Sequence, residues 1–458
     1  MTLTEAAAAL DASHRGEAHF DSVGSDSRDI VPGQLFVALR GERFDGHDYV
    51  ARAIAAGAAA AMVDRAWADD NPDGELPLLI VDETRKGLGA LAGHWRRQFS
   101  LPVIGVTGSN GKTTVKEMCA VILRAQAALD GVDPASAVLA TRGNLNNDIG
   151  LPLTVLGLRP SHRYAIVEMG MNRPGEIAWL SSIALPTVAL VTNAHRAHLA
   201  GMGGVDEVAR EKGAIYGGLA EDGTAVVNGD DPHAPLWRQL AGQHRTVQFG
   251  VEQAADVSGA YILKGQGATL TVHTPIGNAG IELLVPGRHN VMNALAAVAA
   301  TLGAGVTLEA VCRGLGAYTG TKGRLERKAG VNAAVVIDDT YNANPDSVRA
   351  GIDVLAATPG RTVLVLGDMG EVGPNSAQLH DEVGGYAKSQ GIDQLFAMGE
   401  MSEVAARNFG EGGRHFGRLE ELVAALRKIM DADTVVLVKG SRFMQMERVV
   451  DAIVVPKH

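Results

Sequence analysis

The sequence predicts an α/β protein of three domains: a small α/β N-terminal domain followed by two larger domains, each built on a mostly parallel sheet. Three observations support this. The chain has 458 residues, 46% hydrophobic and 20% charged, enough for about three ordinary domains with buried cores. Short β-branched runs alternate with helical stretches, the order that builds parallel sheets. A polar, glycine-rich connector at residues 319–323 splits that alternation into two blocks.

In chain order, residues 35–39, 48–60 and 78–81 read as strand, helix and strand. A helical pattern carrying Leu88, Leu91, Trp95 and Phe99 ends before Pro102, which places the first boundary near residue 85. The second block has apolar runs at 103–106, 164–167, 188–191 and 225–227, each followed by a helical stretch. Residues 257–284 shorten into alternating strands with Gly and Pro turns, an antiparallel meander, and a helix over 290–302 closes the block. Beyond the connector, runs at 334–337, 362–366, 394–397 and 434–438 separated by helices predict a doubly wound, Rossmann-like domain. The expected domains are 1–85, 86–320 and 321–458.

Composition excludes several function classes. Lys and Arg number 41 against 52 Asp and Glu, a net charge of −11, so no nucleic-acid partner is expected. Only Cys119 and Cys312 occur, too few for a disulfide framework, and a reducing cytoplasm is the expected location. The N-terminal residues lack a basic region, and no run approaches 18 apolar residues, so neither export nor membrane insertion is expected. A monomer is the expected state.

The run Val103-Ile104-Gly105-Val106-Thr107-Gly108-Ser109-Asn110-Gly111-Lys112-Thr113-Thr114 is a strand, a glycine-rich turn and a helix start. Such a loop cradles phosphates. Backbone N–H groups converge, the helix N-terminus adds its positive end, Lys112 reaches the terminal phosphates and Thr113 is placed to ligate Mg²⁺. Val106 stands where the strict G-x4-G-K-[ST] pattern has glycine; the loop glycine comes at Gly108. This gives the central block a P-loop. Glu168 closes the run at 164–168 at the carboxyl edge of its strand, where an acidic metal ligand can face the loop; a capping or solvated glutamate is the competing reading. His195 and His198 follow the next strand, and His198 is the candidate metal ligand, His195 the structural one. Lys212 reads, by spacing alone, as a solvated helix lysine. The segments Pro286 to Asn293 and Ile337 to Pro345 look like nucleotide contacts, with Asp339 either gripping ribose hydroxyls or belonging to an Asx turn. Gly87-Leu88-Gly89-Ala90-Leu91-Ala92 mimics a dinucleotide fingerprint, but its glycines share one helical face with positions 91, 95 and 99.

With residues 107–114, Gly143-Asn144-Leu145-Asn146-Asn147-Asp148, Glu168, Ala197-His198-Leu199, Lys212, residues 287–293 and Gly323-Arg324 in order, the chain resembles the Mur ligase family. Ser25-Asp26-Ser27-Arg28, Phe44-Asp45-Gly46-His47, Asp338-Asp339-Thr340-Tyr341-Asn342-Ala343-Asn344-Pro345 and Val438-Lys439-Gly440-Ser441-Arg442 extend the resemblance over essentially the whole chain. Several of these runs point to the branch whose substrates are UDP-N-acetylmuramoyl-tripeptide (UDP-MurNAc-tripeptide), D-alanyl-D-alanine (D-Ala-D-Ala) and ATP.

The resemblance implies an N-terminal domain for the UDP end, a central P-loop ATPase domain and a Rossmann-like C-terminal domain that closes over ATP and the dipeptide. It implies catalytic roles for Lys112, Lys212, His198 and Arg324. ATP contacts would come from Gly108, Asn110, Gly111, Lys112, Thr113, Thr114, His289, Asn293, Arg324 and Asp339, and two Mg²⁺ would sit on Thr113, Glu168 and His198. Lys212 resembles a family lysine carbamylated by CO₂. Substrate contacts would come from Ser27, Arg28, Asp45, His47, Asn144, Asn146, Asn147, Tyr341, Asn342, Asn344, Ser441 and Arg442. One departure is that Ala197 and Ala200 flank His198 where some branches carry acids. A folate- or cyanophycin-type amide ligase and a motor or switch NTPase are the competing readings of the same loop.

Overall fold

The computed structural model describes residues 1–72, 75–197 and 199–455. The N-terminal domain is a five-stranded sheet in the order Ser13–Arg15, Leu78–Val81, Ala60–Asp64, Gln34–Val37, Ser22–Gly24. It is parallel except for Ser13–Arg15. The helix expected over 48–60 is shorter than its alanine content suggests. A 3₁₀ turn at Gly46–Tyr49 leads into a helix at Val50–Ala55, Gly57 turns the chain at φ +108°, and Ala60–Asp64 is a fully buried strand. Alanine favours helix when nothing else decides; here sheet burial between two parallel neighbours decides.

The central domain carries nine strands: Gly277–Leu283, Gly267–Thr274, Val257–Lys264, Arg245–Gly250, Thr224–Asn228, Val188–Val191, Val103–Thr107, Tyr164–Glu168 and Val138–Ala140. The expected meander is antiparallel over its last three strands, but Val257–Lys264 also pairs parallel with Arg245–Gly250, so the hairpin extends the main sheet. One face is covered by Lys112–Leu129, Arg288–Gly303 and Leu308–Gly316. On the other, a single core runs from Leu3, Leu35 and Met62 of the first domain to Leu180, Tyr216 and Trp237 of the second.

The helix Thr84–Arg96 is the seam between these domains. A Cβ on Gly87 would stand 3.1 Å from Met62 Sδ in the first domain, and one on Gly89 would collide with the Trp179 ring in the second. The fingerprint-like glycines are therefore packing residues. The expected boundary at residue 85 falls inside the first turn of this helix, which packs on both sides.

The C-terminal sheet runs Glu326–Ala329, Val335–Asp339, Thr434–Lys439, Arg361–Gly367, Gln394–Met398, Gly413–His415. It is parallel except for the edge strand Glu326–Ala329 and has a buried core on each face. No helix among the described residues is long and apolar enough to cross a membrane.

Candidate active site

The strand Val103–Thr107 lies between Tyr164–Glu168 and Val188–Val191, with Val106 opposite Glu168 and Thr107 opposite Val191. Three strand ends thus meet at the carboxyl edge of the sheet, where a parallel sheet binds ligands. The phosphate loop leaves this edge through Gly108 at φ +146° and enters the helix Lys112–Leu129 through Gly111 at φ +81°. Neither position accepts a side chain: a Cβ on Gly108 would strike Thr192 Oγ1, and one on Gly111 would strike the Asn293 carboxamide. The next strand end clasps the loop. Thr192 Oγ1 donates to the Asn110 carbonyl at 2.7 Å, and the Asn110 N–H donates to Asn193 Oδ1 at 2.9 Å. Thr192 and Asn193 are absent from the sequence-based site, because only the sheet order brings them to the loop.

Lys112 Nζ donates to the Gly108 carbonyl at 2.7 Å. Burial pushes its ammonium below the ordinary lysine range, while the nearby Glu168 carboxylate favours the charge. Glu168 is 2% exposed; its Oε1 accepts from Asn146 Nδ2 at 2.8 Å, and its Oε2 is buried without a hydrogen-bond partner. Lys212, on the helix Val205–Gly213, is wholly buried, not solvated as its spacing suggests, and its Nζ has no hydrogen-bond partner. Burial, reinforced by the charge of Lys112, holds its pKa well below the usual value. An orphaned carboxylate oxygen and an orphaned amine are costly features that a binding site retains and a structural core removes. His198 lies outside the described residues. His195 Nδ1 accepts from the Asn110 Nδ2 amide at 3.1 Å, and the residue borders the cavity described below.

The opposite wall belongs to the C-terminal domain and its connector. Arg324 Nη2 donates to Thr113 Oγ1 at 2.9 Å, and its guanidinium lies 4.2 Å above the centre of the Tyr341 ring. Asp339 receives Lys439 Nζ at 2.6 Å and the Leu325 N–H at 3.2 Å. Its burial raises the carboxyl pKa against the pull of Lys439. Lys439 had no assigned role in the sequence; as a buried ion-pair partner it holds Asp339 in place. Asn344 caps the helix Pro345–Ala356 by accepting from the Ser347 N–H at 2.9 Å, and its amide donates to Asn110 Oδ1 at 2.7 Å. Ser441 Oγ accepts from the Gly370 N–H at 2.7 Å, and Arg442 pairs with Glu447 at 2.8 Å.

Between the walls lies a cavity of about 1310 Å³, above the usual range of roughly 300–1,000 Å³ for one small ligand. Thr113, Thr114, Asn144, Asn147, His289, Asn293, Tyr341 and Asn342 line it with Lys112, Asn146, Glu168, Arg324, Asp339, Asn344, Lys439 and Arg442, whereas Lys212 and Ser441 lie behind its lining. His289 stands there with its imidazole pushed down to about 4 by burial and the nearby Lys439 charge. Asn147 also accepts the Gly150 N–H at 2.9 Å, closing the start of the helix Gly150–Val155.

The N-terminal candidates lie elsewhere. Arg28 is chelated by its neighbour Asp26 at 2.7 and 2.9 Å, with Ser27 between them. His47 donates from Nδ1 to Asp45 Oδ1 at 2.6 Å and accepts the Asp64 N–H through Nε2 at 3.0 Å, so both ring nitrogens are engaged inside the domain. None of these four lines the cavity.

This arrangement defines a nucleotide-binding protein whose phosphate loop faces a second, separately folded wall. Three family models match consecutive parts of the chain: the Mur ligase family catalytic domain over residues 19–96, the Mur ligase middle domain over 106–301, and the Mur ligase glutamate ligase domain over 323–442. The chain belongs to the Mur ligase family.

The UDP-N-acetylmuramoyl-tripeptide–D-alanyl-D-alanine ligase of Escherichia coli (strain K12) is 42% identical over 437 residues, covering 94% of this chain and 93% of the relative. The crystal structure of MurF from Acinetobacter baumannii superposes with a TM-score of 0.89 at 37% identity, covering 98% of this chain and 97% of that one. MurF ligase from Thermotoga maritima in complex with ADP gives 0.80 at 28% identity, covering 94% and 96%.

Proposed function

We propose that this protein is an ATP-dependent amide ligase that joins the terminal carboxylate of UDP-MurNAc-tripeptide to the amine of D-Ala-D-Ala, releasing ADP and phosphate. The product, a UDP-MurNAc-pentapeptide, is a peptidoglycan precursor made in the cytoplasm. The observation that carries the chemistry is the opposition of Lys112 and Thr113 on the phosphate loop to Arg324 from the other wall, in contact with Thr113. The substrate assignment is supported by near-full-length likeness to ligases of that name.

A carboxylate and an amine do not condense in water, because the oxygen to be expelled is a poor leaving group. In the proposed reaction a carboxylate oxygen attacks the γ-phosphorus of ATP, the bond to ADP breaks and an acyl phosphate forms. The deprotonated amine then adds to the acyl carbon, and the tetrahedral intermediate expels phosphate. The protein's contribution is to position the reactants and offset the repulsion between two anions. The loop amides and Lys112 hold the phosphates, and Arg324 places a guanidinium on their far side. Asn293 and His289 offer hydrogen bonds to the base, with His289 neutral, and Asp339, braced by Lys439, offers a carboxylate to the ribose.

Thr113 and Glu168 suit a hard divalent cation, since the buried Glu168 Oε2 lacks a partner. Mg²⁺ held there would neutralise charge developing on the transferred phosphoryl group. His198 is the proposed ligand of a second Mg²⁺. Lys212, whose burial and the Lys112 charge both disfavour its ammonium form, suits carbamylation: the nitrogen of the amine form bonds to CO₂, one N–H proton leaves, and an anion replaces a group that could only have become a second ammonium near Lys112.

Phosphate release is the test. Release is expected only when ATP, UDP-MurNAc-tripeptide and D-Ala-D-Ala are all present, and full release with ATP alone would overturn the ligase reading. Turnover with tripeptides ending in diaminopimelate or lysine identifies the third residue.

A further inference from the structure

The turn after the strand Val188–Val191 carries a side chain for which the reaction above has no use. Arg196 leaves the central domain and is gripped by two carboxylates of the C-terminal domain. Its Nη2 donates to Asp346 Oδ1 at 2.7 Å, and its Nη1 and Nη2 donate to Glu382 at 2.7 and 3.0 Å. Its backbone N–H adds a bond to Asp346 Oδ2 at 2.9 Å. The carboxylates sit on two different helices, Pro345–Ala356 and Ser376–Ser389. Glu382 is itself braced by Arg349 at 3.0 Å, whose guanidinium lies 4.2 Å over the centre of the Tyr386 ring.

The helix Pro345–Ala356 is therefore tied to the central domain at two points. Its cap Asn344 exchanges amide hydrogen bonds with Asn110 of the phosphate loop at 2.7 and 3.4 Å, and its first-turn Asp346 holds Arg196 beside that loop. A single exposed ion pair contributes little. A guanidinium shared between carboxylates on two helices, each partner no more than about one-third exposed, fixes an orientation as well as a distance.

We propose that Arg196 is a positioning residue: it docks the helix Pro345–Ala356 beside the phosphate loop and so sets the placement of the C-terminal wall, Arg324 included, on the nucleotide. The proposal deepens the ligase reading and depends on it only for the activity readout.

Arg196→Ala and Glu382→Gln, the latter changing only the C-terminal side of the contact, are compared with the wild type. The readouts are ADP affinity by calorimetry, substrate-dependent phosphate release, and radius of gyration by small-angle scattering with ADP bound. A kcat loss of about tenfold or more is expected for Arg196→Ala and a smaller loss for Glu382→Gln, with ADP affinity and KM changed by no more than about threefold. The radius of gyration is expected to rise in Arg196→Ala. Arg196→Lys, which keeps the charge and loses the fork, is expected to fall between alanine and wild type. A folded Arg196→Ala variant with wild-type kcat and radius of gyration overturns the proposal. If that variant does not fold, unchanged kcat and radius in Glu382→Gln overturn it. Should the wild type release no phosphate with both substrates, the ligase reading fails, and scattering still decides the role of Arg196.

Discussion

The chemistry concentrates in a few side chains whose charge state is set by burial. Lys112 is the least replaceable: its ammonium and the loop amides are the positive groups nearest the proposed phosphates, and Arg324 cannot occupy its place. Lys112→Ala is expected to lower phosphate release by about 100-fold or more, measured as kcat/KM for ATP, with little change in melting temperature. His289 gives the pH prediction. Its pKa falls from 6.5 to about 4 on folding, so between those values the unfolded chain binds more protons than the folded one. Stability therefore rises with pH across that window, and the contribution is complete above 6.5 and lost as pH falls towards 4. Thermal denaturation from pH 4 to 7 should show this slope, and His289→Gln should flatten it. Adenine-nucleotide affinity should not change through titration of this imidazole between pH 6 and 8.

At the scale of elements, the site depends on close approaches that only glycine permits. Gly108→Ala combines an unfavourable φ with a collision at Thr192 Oγ1, so the loop must move and nucleotide binding is expected to be lost by calorimetry. The seam helix Thr84–Arg96 offers a stability counterpart. Gly89→Val forces a branched side chain into the Trp179 ring and is expected to cost about 1–3 kcal/mol in denaturant unfolding, without altering the phosphate loop. The elements most legible in the sequence were the β-branched strands of the two parallel sheets, because strands buried on both faces must be apolar throughout. Least legible were Ala60–Asp64, hidden by alanine's helical preference, and the short edge strands Ser13–Arg15, Val138–Ala140 and Gly413–His415. Edge strands bury little, so their residues carry no strong pattern.

For the whole molecule, the decisive feature is that no single domain holds the complete site. The first two domains share a continuous apolar core. The third meets the second through polar contacts at Thr113, Asn110 and Arg196, the kind of interface that allows relative motion. Closure of the third domain over bound substrates is the expected consequence: an ATP analogue plus UDP-MurNAc-tripeptide should reduce the radius of gyration in solution scattering. Arg324→Ala is expected to lower kcat by about 100-fold while leaving the melting temperature of the first two domains unchanged in calorimetry. An equal loss of stability would instead mark Arg324 as a structural strut.

By itself the sequence determined the phosphate loop, the division into three α/β parts and the β-branched strands of the two larger sheets, because each is written in local residue types: glycines before Gly-Lys-Thr, β-branched runs, a polar connector. It also placed Glu168 at a strand end. Tertiary structure alone decided that Lys212 is buried without a partner, that Thr192 and Asn193 clasp the loop, that Lys439 braces Asp339, and that Arg196 bridges two domains. Those facts depend on contacts between residues separated by tens to hundreds of positions. Local pattern carries no record of them, since desolvation and pairing arise only when the sheet order brings distant strand ends to one edge.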